Sequence, residues 1–179
     1  MPKRWKPPFE KDKLARLYTI CAYDSENVSL IDKVKKNLES FFGKIDFEIN
    51  FNSLLPVPSI YATNKEFDIY HLISYERPIG REEIVDIKRK TLSIELKYQK
   101  DGFPSIEIDC GYVTENQVIR TSLYEENHKI YLYKNIFLET LYFFDKGSYK
   151  PFIHTPKFFR SPDIITTFND LRLIYVSSS

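Results

Sequence analysis

Between Arg16 and Phe51 the apolar spacing changes from strand-like to helix-like and back, which restricts the chain to folds that pack helices on a sheet. Arg16–Tyr23 reads RLYTICAY, an apolar run rich in aromatic and β-branched residues, and is expected to be a strand. Asp24 and Ser25 then offer a turn and a helix cap. Over Asn27–Phe42, the residues Leu30, Ile31, Val34, Leu38, Phe41 and Phe42 fill an arc of about 120° on a helical wheel. Gly43 supplies a stop. In Lys44–Phe51, Ile45, Phe47, Ile49 and Phe51 alternate with polar residues, so a second strand is expected.

The rest of the chain extends the same alternation of periods. Asn52–Glu66, with Pro56 and Pro58, reads as a long irregular connection. A third strand is expected at Phe67–Tyr75, a second helix at Arg81–Tyr98 and a fourth strand at Ser105–Asp109, ended by Gly111. Val118–Tyr124, His128–Tyr133 and Ile136–Phe144 follow as strands, with Lys134-Asn135 as a two-residue hairpin turn. Lys146–Pro162 reads as a loop and Pro162–Tyr175 as a third helix, with Ser177–Ser179 a frayed end. The expected fold is α+β: a ferredoxin-like βαββαβ plait, extended by an antiparallel β-meander and a final helix. Residues 14–176 form one domain in this reading. Met1–Lys13, charged and carrying three prolines, is a tail with no apolar stretch of the signal-peptide kind.

Three polar residues break the pattern of the second helix. With Ile84 at about 0°, the apolar face runs from roughly −80° to +100°, yet Lys88 falls near ~40°, Thr91 near about −20° and Glu95 near ~20°. A Lys and a Glu in such a place cost several kcal/mol unless hydrogen-bonded or paired. Three accounts fit: a buried Lys–Glu pair that fixes the helix register on the sheet, a face at the sheet edge that stays wet, or a polar pocket with Lys88 as anion binder or proton carrier and Glu95 orienting Lys88. The last hairpin shows the same kind of break. With Lys134-Asn135 as the turn, His128, Ile130, Leu132, Phe137, Glu139, Leu141 and Phe143 share one face, apolar except for His128 and Glu139. These two are diagonal neighbours, within reach of an ion pair or an acid–base couple.

Composition excludes several classes. The net charge of +1 gives no basic footprint for nucleic acid, and no run of apolar residues is long enough to span a membrane. His71, His128 and His154 have no metal-ligand spacing, the five glycines form no phosphate-cradling loop, and no cofactor is indicated. Cys21 and Cys110 lie in apolar runs and are expected to be buried thiols, as in a reducing cytoplasm.

The same stretches carry a family resemblance. IEIDCGY at Ile106–Tyr112, VIRTSLYEENHKIYL at Val118–Leu132 and NIFLE at Asn135–Glu139 resemble the N-x-D-P-G-Y-L, V-V-L-A-T-x-K-x-x-x-H-R-I-Y-L and G-I-x-A-E-V-T-L segments of the uncharacterised prokaryotic domain of unknown function 4416 family. Lys88-x-x-Thr91-x-x-x-Glu95 resembles that family's K-x-x-T-N-x-x-E helix, and the opening RLYTICAYDS and closing FFRSPDIITTFNDLRLIY are similar to its ends. The match places Lys88, Thr91, Glu95, Asp109, Gly111, Tyr112, His128, Lys129, Tyr131 and Glu139 on family motif positions. It also shows departures. Cys110 stands where the family has Pro, Tyr124 where it has Lys, Lys129 where it has Arg, and Lys157 where it has an acidic residue. The family's Tyr-Tyr-x-x-Glu-Met-Gly segment has no counterpart in Asn52–Asp68.

Two functional expectations follow. In the first, a ligand-binding domain takes an anionic small molecule or a partner protein in one cleft. Lys88 and Lys129 bind negative charge there, Thr91, Glu95, Asp109, Tyr112 and Tyr131 line the cleft, and His128 with Glu139 relays a proton. A small enzyme using His128 and Glu139 on a phosphate- or carboxylate-bearing substrate is the catalytic variant. In the second, the polar residues are structural networks in an interaction module.

Overall fold

The computed structural model describes residues 14–52 and 67–178. The Met1–Lys13 tail and, beyond Asn52, the Asn52–Glu66 connection lie outside the described residues. In chain order the elements are β1 (Leu14–Tyr23), α1 (Val28–Phe42), β2 (Ile45–Asn52), β3 (Ile69–Tyr75), β4 (Ile79–Gly80) and α2 (Ile84–Lys97). They continue with β5 (Gln99–Lys100), β6 (Phe103–Pro104), β7 (Ile106–Val113), β8 (Gln117–Ser122), β9 (Ile130–Tyr133), β10 (Ile136–Asp145), β11 (Ser148–Pro151) and α3 (Pro162–Ser177).

The architecture is α+β. One large antiparallel sheet runs in the order β11-β10-β8-β7-β1-β3-β2, with β4 added to β1 and β9 to β10, while β5 and β6 form a separate hairpin. Strand alternation sends successive side chains to opposite faces. In β1, Leu17 and Cys21 join Ile31, Val34 and Leu38 of α1 and Ile84, Ile87 and Ile94 of α2 in one core. Tyr18 and Ile20 point the other way, into a second core with Ile164, Phe168 and Leu171 of α3. The Tyr18 and Phe168 rings meet edge-on at 5.0 Å. Covered on both faces, β1 is buried at every residue after Leu14. Each fully buried Leu or Phe of these cores contributes about 1.5–3 kcal/mol.

Four expectations about the later part of the chain need correction. β7 does not stop at Gly111; it runs on to Val113. Gly111 is there because the backbones crowd: a Cβ would lie 1.9 Å from the Ile119 carbonyl oxygen and 2.5 Å from the Tyr18 hydroxyl. The expected strand His128–Tyr133 begins only at Ile130, and His128 sits in the turn before it. The Lys134-Asn135 turn forms as expected, with φ of 51° and 58°, but a bulge after Ile136 pairs Tyr131 with Phe137 and Ile130 with Leu138. That one-residue slip removes the expected shared face: all four β9 residues are exposed, Ile130 by 69%. The expected loop Lys146–Pro162 contains β11, entered through a tight turn at Lys146 and Gly147, φ 47° and 86°. Among the described residues no helix is long and apolar enough to cross a membrane.

Candidate functional site

The site follows from a parting of two strands. β7 pairs with β1 along its whole length, but with β8 only over Gly111–Val113. Beyond Gly111 and Arg120, β8 stays with β10 and leaves β7. In an antiparallel strand the N–H and C=O of one residue point to the same side, so Ile108 and Cys110, in step with Tyr112, face the gap. Buried backbone groups must be satisfied, and here side chains do it. The Ile108 carbonyl accepts from Lys88 Nζ at 2.9 Å, and the Ile108 N–H donates to Glu95 Oε1 at 2.6 Å. The Cys110 carbonyl accepts from Thr121 Oγ1 at 2.8 Å, and the Cys110 N–H donates to Asp109 Oδ1 at 2.9 Å. Thr91 Oγ1 donates to the Lys88 carbonyl at 2.8 Å. Lys88 and Glu95 are therefore buried on the helix side of the sheet because they stand in for a missing strand, and Thr91, also buried, bonds back into its own helix. Burial pushes the Cys110 thiol up to about 11, so it stays protonated.

On the α3 side of the same gap lies a second network. Arg120, 2% exposed, lies between two carboxylates: its Nε donates to Asp109 Oδ2, and its Nη1 to Glu139 Oε1 at 2.9 Å. The guanidinium also lies over the Phe159 ring, 5.3 Å from its centroid. Burial alone would weaken its charge, but Asp109 and Glu139 outweigh burial and hold its pKa above the ordinary arginine value. The other oxygen of Glu139 is 3.1 Å from His128 Nε2. The His128 ring stacks on His154 at 4.1 Å, and His154 stacks on Phe152 at 5.3 Å. His154 Nε2 is 2.9 Å from the Thr140 carbonyl oxygen and donates to it. Lys129 turns inward: its ammonium meets Glu126 at 2.7 Å, donates to Ser122 Oγ at 3.0 Å and lies over the Tyr124 ring. The Lys129 hydrogen bond holds the Glu126 carboxyl below its ordinary value.

The residues singled out from the sequence thus fall into two groups. Lys88 and Glu95 hold the edge of β7 under α2, with Thr91 bonded to the Lys88 carbonyl within the helix. Asp109, His128 and Glu139 gather around Arg120, with Lys129 beside them, on the opposite face. One cleft containing both Lys88 and His128 is not what the chain builds. They lie on opposite faces of the sheet, since Lys88 reaches β7 from the core containing Ile108 and Cys110, whereas His128 bonds Glu139 beside Arg120, which lies against Phe159 of the other core. Tyr112 belongs to the α1–α2 core, and Tyr131, 56% exposed, packs edge-on against Phe137. Arg120, which joins the carboxylates, and His154, which stacks on His128, were missed by sequence reasoning. Arg120 carried a faint signal, a charge between Val118 and Ser122 on one face of an apolar strand. His154 carried none.

No curated protein and no solved structure matches the chain. A family model does match, over residues 13–175, so that both networks and all three helices' packing faces fall inside it: the chain belongs to the family of the domain of unknown function DUF4416.

Proposed function

We propose that residues 14–176 act as one binding domain whose ligand-facing group is His128, and that the ligand is a small molecule bearing a carboxylate or phosphate. The observation that carries this reading is selective exposure. Side chains of Asp109, Arg120 and Glu139 are at most 8% exposed, whereas His128, bonded to Glu139, is 25% exposed. Glu139 fixes the ring from behind at Nε2, and the exposed side of the ring is left to meet an anionic oxygen. Lys88 and Lys129 do not share this role, because their ammonium groups are engaged inside the protein. The order β7-β1-β3-β2 with α1 and α2 on one face supports the ferredoxin-like plait for the first half of the domain. Buried free thiols at Cys21 and Cys110 accord with a reducing, cytoplasmic setting in a prokaryote.

The test is a thermal-shift comparison of wild type and His128→Ala with inorganic phosphate, nucleotides, sugar phosphates and di- and tricarboxylates. Saturating a true ligand at about 100 times its Kd stabilises by roughly 2.7 kcal/mol, a rise of about 5–10 °C for a domain of this size. At least one anion is expected to raise Tm by that amount in wild type and not in His128→Ala. Equal shifts in both proteins, or none with any anion, would remove His128 from the ligand's path. The 3.1 Å contact of His128 with Glu139 also suits an acid–base enzyme. That reading is favoured only if the stabilising anion is consumed.

A further inference from the structure

Beyond β10, the short strand β9 carries an apolar surface that the fold leaves open. Ile130, Tyr131, Leu132 and Tyr133 are 69%, 56%, 39% and 58% exposed. β9 pairs with β10 alone, so among the described residues no strand covers its outer edge. Edge strands are ordinarily protected by a charge, a proline or a covering loop. IYLY holds neither charge nor proline, so each of its backbone N–H groups is available to a ladder.

The chain's own undescribed segments are badly placed to cover it. Residues 53–66 are tethered to β2 and β3, five strand spacings or about 24 Å from β9. A fourteen-residue loop tied at both ends spends roughly its full reach on that distance and has none left to lie along the strand. Met1–Lys13 joins β1 at the wrong end of the sheet. Arg16 is level with Val113, Val113 with Val118 and Val118 with Tyr142, whereas β9 lies against Ile136–Leu138. Spanning that diagonal of roughly 30 Å uses about nine residues, and the few that remain include Pro2.

The flanks of β9 say what fits. Glu125 precedes the strand and Lys134 follows it, both exposed. Neither has an ionic partner among the described residues: Lys134 lies only over the Tyr133 ring, and Lys129 is engaged by Glu126. A complementary antiparallel strand therefore needs an apolar centre, a lysine at the end facing Glu125 and an acid at the end facing Lys134. β9 itself meets that description when turned about a two-fold axis. We infer that β9 is a self-association edge, on which a second copy of this chain adds its own β9 antiparallel, with Glu125 of each copy towards Lys134 of the other. Cross-strand pairs among Ile130, Tyr131, Leu132 and Tyr133 supply the apolar contact. Four such side chains offer on the order of 500 Å² per copy, below the roughly 800 Å² of a standard interface, so the dimer is weak and reversible. The inference does not depend on what His128 binds.

The test is sedimentation velocity of the full chain from about 2 to 200 µM at low salt, with Tm measured on every variant. Wild type is expected to shift reversibly from monomer to dimer, with a Kd of about 1–100 µM. Leu132→Lys places a charge on an exposed edge position, so it should keep the wild-type Tm and stay monomeric to 200 µM. Lys134→Glu and Glu125→Lys should each weaken the dimer by about tenfold, because each sets like charges together twice across the two-fold. Combining Glu125→Lys with Lys134→Glu in one chain should restore it. A wild-type protein that stays monomeric throughout, a dimer undiminished in Leu132→Lys, or a double reversal as weak as the single ones would each overturn the inference.

Discussion

Replacing Arg120 by methionine should cost about 3–5 kcal/mol of stability, seen as a Tm lower by roughly 6–20 °C or as a reduced urea midpoint at unchanged slope. The reason lies in what remains. Asp109 and Glu139 are buried against the α3 side of the sheet, and each gives an oxygen to the same guanidinium. Methionine fills much of the volume and stacks acceptably on Phe159, but it leaves two carboxylates in a poorly hydrated place with no positive charge between them. Arg120→Lys should recover only part of the loss, because a single ammonium lacks the planar fork that reaches both partners at once. The combination of Asp109→Asn, Arg120→Met and Glu139→Gln should recover most of it, since removing a whole buried network costs far less than removing one member. If Arg120→Met alone matches wild type, the charges there are wet and the network is not a buried one.

The second large effect is expected at Lys88. Lys88→Met should destabilise by about 1–3 kcal/mol, because it strips the buried Ile108 carbonyl of its charge-assisted donor. Glu95→Gln keeps an oxygen for the Ile108 N–H and should cost less. The two changes together should cost less than their sum, by about 0.5–3 kcal/mol, as groups sharing one network do. A strictly additive pair would mean that Lys88 and Glu95 act separately and only happen to touch the same residue.

The sequence made parts of this legible for a clear reason. Lys88, Thr91 and Glu95 stood out because a helical wheel is local: it needs no knowledge of the partner strand to show a charge where an aliphatic side chain belongs. What they hold was not legible, since the gap beyond Gly111 arises from β8 leaving β7, a tertiary event. The His128–Glu139 contact was anticipated from a register that does not exist. A bulge after Ile136 slips β9 by one residue, and His128 reaches Glu139 from a turn instead. Such a bulge has no marker in IYLYKNIF. The β1–α1–β2 opening read correctly because its apolar period changes sharply at Asp24 and again at Gly43. β11 was hidden because SYKP is short and ends in proline, which tolerates only an edge strand. Sheet order places it there, at the outer edge beside β10.

The most direct measurement is native-state hydrogen exchange at the Ile108 amide. If Glu95 completes the β7 edge, this N–H exchanges as slowly as core amides of β1, although among the described residues no strand pairs with it on that side, and Glu95→Ala accelerates it well ahead of those core amides. An Ile108 amide that exchanges at the rate of an open sheet edge in the wild-type protein would contradict the account at its root.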